Sequence, residues 1–231
     1  MNTPSPTIFL FDIDGTLLLT GGAGRRSFER AFAEVTGQPD ALKNISFGGM
    51  TDKGIARAGL DAAGLETTDA RVDALFDAYL RALQDELART PKYTIMPGVH
   101  ALLAALQGVA DIAIGLGTGN LKRGAEAKLR HGQLWDHFSF GGFGCDHEQR
   151  AELLRAGALR GAAQLGVPLE QCRIVVIGDT VRDVDAAHEI GAECIGVETG
   201  GVEAAVLRAR GAHAVYPDLT AKGVLETLLG R

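Results

Sequence analysis

Short apolar runs rich in Ile, Val and Phe recur along the chain, and each gives way to Gly, Asp or Thr and then to a stretch with helical spacing. Strand followed by helix, repeated in this way, predicts parallel βα units. The strand candidates are 7–11, 111–116, 173–177 and 193–197, with weaker ones at 213–216 and 138–143. Near-continuous apolarity in the first three predicts a sheet buried on both faces beneath helices. The expected fold is a doubly wound, mostly parallel α/β core.

The connection from Phe11 to Asp111 is far longer than a βαβ crossover needs. Within it Phe28, Ala31, Phe32 and Val35 keep the three-and-four spacing of an amphipathic helix, as do Val72, Leu75, Phe76, Tyr79, Leu80, Leu83 and Leu87. This pattern predicts a small helical insert at 20–91, interrupting a core made of 1–19 and 92–231. Pro91 and Pro97-Gly98 mark the return to that core. Gly21-Gly22-Ala23-Gly24 lacks the Lys-Ser/Thr ending of a P-loop and reads as a hinge.

Composition narrows the functional classes. At 231 residues, 46% hydrophobic and 23% charged, the chain has the profile of a globular protein with a substantial core. A net charge of −6 argues against a nucleic-acid partner, which would call for concentrated Lys and Arg. Cys145, Cys172 and Cys194 show no CxxC spacing and read as reduced thiols. The first six residues lack the features of a signal peptide, and no apolar run is long enough to span a bilayer. A cytoplasmic protein with no membrane partner is expected.

Ligands of open α/β sheets collect beyond the carboxyl ends of the strands. The first strand ends in Asp12-Ile13-Asp14-Gly15-Thr16, the second in Gly117-Thr118-Gly119-Asn120, and the third in Gly178-Asp179-Thr180-Val181-Arg182-Asp183. Neighbouring strands would bring three or four carboxylates into one small volume, where they repel unless a cation sits among them. An all-oxygen set without His or Cys suits Mg2+. Taken alone, Asp179-Thr180 reads first as the cap of a helix over 181–190, and Thr51 or Asp52 reads equally as the cap of another.

These motifs resemble the haloacid dehalogenase superfamily, in particular its phosphoglycolate-phosphatase-like and β-phosphoglucomutase-like branch with a helical cap of the C1 type. The resemblance rests on Asp12-Ile13-Asp14-Gly15-Thr16, Thr118, and Gly178-Asp179 with Asp183, and it spans essentially the whole chain. It implies a Mg2+-dependent phosphatase acting on a small phosphorylated metabolite, a phosphoglycolate or sugar-phosphate type, through an aspartyl phosphate. By the resemblance Asp12 is the nucleophile and Asp14 the general acid and base. Thr118, Gly119 and Asn120 bind phosphate, and Asp12, the Asp14 carbonyl and Asp179 bind the metal with Asp183 in support. Gly48-Gly49-Met50-Thr51-Asp52-Lys53 is similar to the family's cap loop facing the site, which makes Thr51 and Asp52 substrate-side candidates.

The chain departs from the family where a lysine is usual, since Asp146-His147-Glu148-Gln149-Arg150-Ala151 contains none. Arg150 is the expected replacement, with Lys122 or Arg123 as alternatives. A phosphomutase and, more remotely, a non-enzymatic phospho-acceptor regulator are the rival functions.

Overall fold

The computed structural model describes residues 5–230; Met1 to Pro4, on which most of the leaderless reading rests, lie outside them. In chain order the elements are β1 (Thr7–Phe11), β2 (Leu18–Leu19), α1 (Ala23–Thr36), α2 (Asp52–Ala62), α3 (Asp69–Arg89), β3 (Thr94–Ile95), α4 (Val99–Leu106), β4 (Ile112–Thr118), α5 (Lys122–His131) and β5 (Phe140–Phe143). There follow α6 (Arg150–Leu165), β6 (Arg173–Gly178), α7 (Val181–Glu189), β7 (Glu193–Val197), α8 (Ala204–Arg210), β8 (Ala214–Tyr216) and α9 (Val224–Leu228).

Six strands form one parallel sheet in the order β5-β4-β1-β6-β7-β8. β1 explains the layering by itself, because all five of its residues are buried and they alternate between two cores. Phe9 and Phe11 join Leu102 and Leu103 of α4, Leu129 of α5 and Leu228 of α9 on one face. Ile8 and Leu10 join Leu153 and Leu154 of α6, Val184 of α7 and Leu207 of α8 on the other. The sheet is therefore doubly wound, with β1 at the centre.

Register then sets the site. Phe11 lies beside Leu116 on one side and Ile177 on the other, so the carboxyl ends of β1, β4 and β6 lie level. Asp12, Thr118 and Asp179 leave the sheet at that shared edge. β4 starts at Ile112 rather than Asp111 because Asp111 holds a left-handed φ of 60°, a turn conformation rather than an extended one. Likewise β5 starts at Phe140, and Phe138 instead packs edge-on against Phe11.

Between β1 and β4, helices α1 to α3 gather a third cluster containing Phe28, Phe32, Leu42, Leu60, Tyr79 and Leu83. The short antiparallel pair β2 and β3 stands at the start and end of this excursion. α2 begins where the sequence offered Thr51 or Asp52 as a helix cap, and Thr51 is that cap. Its Gly59 is required by packing, since the Phe32 ring and Leu42 press against its Cα.

Candidate active site

Asp12 follows the last residue of β1, and its amide donates to the Ile177 carbonyl at 2.9 Å, which continues the sheet ladder by one step. The chain then turns sharply at Gly15, whose φ of 91° and contact with the Asp179 carboxylate both exclude a side chain. That turn lets Asp14 line the same cavity as Asp12. The cavity has a volume of about 280 Å³, and Asn120, Lys128, Arg150 and Asp179 also line it.

Asp12, Asp179 and Asp183 each place a carboxylate oxygen within 4.8 Å of the others, and all three are buried. Arg150, the first residue of α6, answers them: Nη2 lies 3.0 Å from Asp12 Oδ1 and 2.5 Å from Asp183 Oδ1. The Asp183 contact is an ion pair rather than an aligned hydrogen bond, since Asp183 Oδ1 and Arg150 Nε both lack a well-oriented partner. One guanidinium does not balance three buried carboxylates. Burial, and then the neighbouring carboxylates, push Asp179 up to about 8; burial chiefly pushes Asp12 up to about 6, against the pull of Arg150. The set is all oxygen, buried and short of positive charge, which fits a hard divalent cation such as Mg2+.

The remaining candidates fall into distinct positions. Asp183 Oδ2 accepts from the Thr180 amide at 3.0 Å and the Thr180 hydroxyl at 2.7 Å, forming a capping box at the start of α7. Thus the cap of α7 is Thr180, and Asp179 is free of that duty; its Oδ1 accepts from the Thr16 hydroxyl at 2.9 Å. The Asp14 side chain turns away from the three-carboxylate cluster. Its Oδ2 accepts from Lys128 Nζ at 2.6 Å and Asn120 Nδ2 at 2.9 Å. Thr118 is fully buried beneath Asn120, accepting from its side chain at 2.8 Å and its amide at 3.3 Å, with the hydroxyl proton committed to neither bond.

Thr51 and Asp52 join the helical excursion to the core. Thr51 caps α2 by accepting from the Gly54 amide at 3.1 Å, while its hydroxyl donates to the Glu148 carbonyl at 3.0 Å. The capping interpretation therefore holds for Thr51, which does not line the cavity. Asp52 does line it, and clasps the β4–α5 loop: its amide donates to the Gly119 carbonyl at 2.8 Å, and its carboxylate accepts from the Leu121 amide at 2.8 Å. Burial pushes the Asp52 carboxyl up to about 6, against the pull of Lys128.

The alternatives for the missing lysine do not reach the site. Lys122 and Arg123 are exposed, and Lys122 Nζ stands 5.9 Å over the Phe143 ring. Lys128 was overlooked. It is buried, with Nζ 2.7 Å from Asn120 Oδ1 as well as on Asp14. Its signal was positional, because Lys128 shares the buried face of α5 with Gly124, Ala125 and Leu129, where a charge needs a partner.

A family model for haloacid dehalogenase-like hydrolases matches residues 6–191. The chain belongs to that family. This hydrolase shares its fold with CbbY from Rhodobacter sphaeroides, solved in complex with phosphate: 21% identity, a TM-score of 0.70, and coverage of 96% of this chain and 98% of that one. A predicted phosphoglycolate phosphatase from Haemophilus somnus aligns at 17% identity with a TM-score of 0.66, covering 97% and 98%. A Bacteroides vulgatus protein with the provisional designation β-phosphoglucomutase aligns at 18% and 0.64, covering 99% and 92%. No curated protein sequence matches this hydrolase. Among its described residues no helix is long and apolar enough to cross a membrane.

Proposed function

We propose that this hydrolase is a Mg2+-dependent phosphatase that releases phosphate from a small phosphomonoester through an aspartyl phosphate on Asp12. One observation carries the reading: two carboxylates, a buried Asp12 held by Arg150 and a more open Asp14 held by Lys128, line one cavity. Phosphoryl transfer through a carboxylate needs both a nucleophile and a separate acid.

Asp12, Asp179 and the Asp14 carbonyl would hold Mg2+, with Asp183 behind them. Bound there, the ion would offset negative charge on the phosphate and its carboxylate neighbours. Arg150 binds one Asp12 oxygen, leaving the other to attack phosphorus. As the phosphorus–oxygen ester bond breaks, Asp14 gives its proton to the departing alkoxide; it then takes one from the water that cleaves the acyl phosphate. Gly119 and Asn120, which line the cavity, would hold phosphate oxygens at the start of α5, with the Thr118 hydroxyl joining them where the Asn120 side chain and amide release it. The insert 20–91 acts as a cap, with Asp52 fastening it to the β4–α5 loop so that bulk water is excluded during transfer.

The test is a phosphate-release panel of phosphorylated metabolites, with and without Mg2+, run beside Asp12→Asn. Release by the wild type that requires Mg2+ and disappears in Asp12→Asn is the expected result. Retention of most activity by that variant overturns the nucleophile assignment. Isomerised sugar phosphate without net release identifies a mutase instead.

A further inference from the structure

The cavity has two chemically different walls. Its floor, at the strand ends, carries Asp12, Asp14, Asn120, Lys128, Arg150 and Asp179. Its roof comes from Leu19, Thr20 and the helical excursion, and apart from Thr20, Arg25, Asp52 and the Tyr79 hydroxyl the side chains there are apolar: Phe28, Phe47, Met50, Ile55 and the Tyr79 ring. Phe28 and Tyr79 stack with ring centroids 4.0 Å apart, and Phe47 meets Phe28 edge-on at 5.8 Å.

Arg25 is fully engaged on that roof, and Asp52 through one of its two oxygens. Arg25 lies over the Phe47 ring, 4.1 Å from its centroid, and donates to Glu29 and to the Leu42 carbonyl at 3.3 Å each and to the Ile45 carbonyl at 2.5 Å. The Asp52 carboxylate accepts from the Leu121 amide. Gly22, Gly24, Gly48 and Gly49 line the space without reaching into it with side chains.

Resting on the phosphatase reading, we infer that the substrate is the phosphate ester of an alcohol or phenol with a compact apolar body, seated against Phe47 and Met50, rather than of a polyhydroxylated sugar. The phosphate takes the charged floor and the carbon skeleton takes the roof. An apolar body gains by leaving water for such a wall. A sugar would carry several hydroxyls to the same wall, and each one left unpaired costs on the order of tenfold in affinity. Phe47 and Met50 are the half-buried members of the roof, so they are the specificity-determining pair that can change without emptying the core of the insert.

The experiment compares benzyl phosphate, methyl phosphate and glucose 6-phosphate as substrates of the wild type with Mg2+, and measures binding of unreactive benzylphosphonate and of inorganic phosphate by calorimetry. Benzyl phosphate is expected to show kcat/KM at least tenfold above glucose 6-phosphate, and benzylphosphonate to bind at least tenfold more tightly than phosphate. Phe47→Ser and, independently, Met50→Gln should each lower the benzyl-to-methyl preference at least fivefold. Equal or better turnover of the sugar ester, or phosphonate binding no tighter than phosphate, overturns the inference and leaves the phosphatase reading standing. Tight phosphonate binding with no ester turned over does the reverse.

Discussion

Nζ of Lys128 stands 2.6 Å from Oδ2 of Asp14, reaching from the last turn of α5 to the turn after β1. The lysine side chain is 5% exposed and the carboxylate 41%, so the cation is held inside the protein while its partner faces the cavity. The second contact, to Asn120 Oδ1, fixes the ammonium from another side. Asp14 is thereby aimed at the cavity by residues of α5 and of the loop that precedes it.

Lys128→Met should therefore lower kcat by about 100-fold, within the range that a positioned acid or base contributes. The loss should be largest for alkyl esters, whose leaving groups need a proton, and smallest for p-nitrophenyl phosphate. Comparable losses across both leaving groups would mean that Lys128 serves the fold rather than the orientation of Asp14, and thermal melting of the variant supplies the independent check.

Arg150 makes a different prediction, about stability. Removing one partner from a buried ion pair costs about 3–5 kcal/mol, because the charge left behind has neither water nor a counterion. Arg150→Met strands both Asp12 and Asp183, so urea denaturation without Mg2+ at pH 8 should show a loss at the lower end of that range, since Asp12 can escape by taking a proton. Arg150→Lys should recover part of it. A Met variant as stable as the wild type would show that Arg150 does not neutralise the cluster.

How much of this was legible in the sequence follows from what each signal depends on. The strands were legible because burial on both faces demands runs such as Ile8 to Phe11, and the acidic motifs because Asp12 and Asp179 immediately follow such runs. Lys128 was hidden among Lys122, Arg123 and Arg130 on the same helix, and only its helical phase separates it from those exposed neighbours. The start of α2 was legible as a cap at Thr51 or Asp52, but its extent was obscured by Gly54 and Gly59, which depress helix propensity, although tertiary contact with Phe32 and Leu42 requires the second. The docking of Asp52 on Gly119 and Leu121 joins segments far apart in the chain, and local pattern carries no signal for it.

The raised carboxyls set a pH dependence whose sign is fixed. Asp179 rises from 3.8 to about 8 and Asp12 from 3.8 to about 6, so without metal the folded state binds more protons than the unfolded one. Their contribution to stability is full below about pH 4 and is lost as the pH climbs towards 8. Protons and Mg2+ compete for the same oxygens, so Mg2+ should raise the melting temperature more at pH 8 than at pH 5.5. Asp179→Asn should remove most of that difference. An equal Mg2+ effect at both pH values would detach metal binding from this cluster.

Gly200 offers a test that leaves every acidic residue in place. It lies in the short turn after β7, and a methyl group there would overlap the Asp179 carboxylate. That carboxylate has little room to retreat, because Gly15 presses on it from the opposite segment and Thr16 holds Oδ1. Gly200→Ala should thus displace the Asp179 carboxylate while changing no charge, weakening Mg2+ affinity by at least tenfold in calorimetric titration. The Mg2+ concentration needed for half-maximal activity should rise in parallel, with kcat at saturating metal falling less than the affinity does. Unchanged affinity would mean that Asp179 is not the metal's main anchor, and that Asp12 and the Asp14 carbonyl hold it without help from β6.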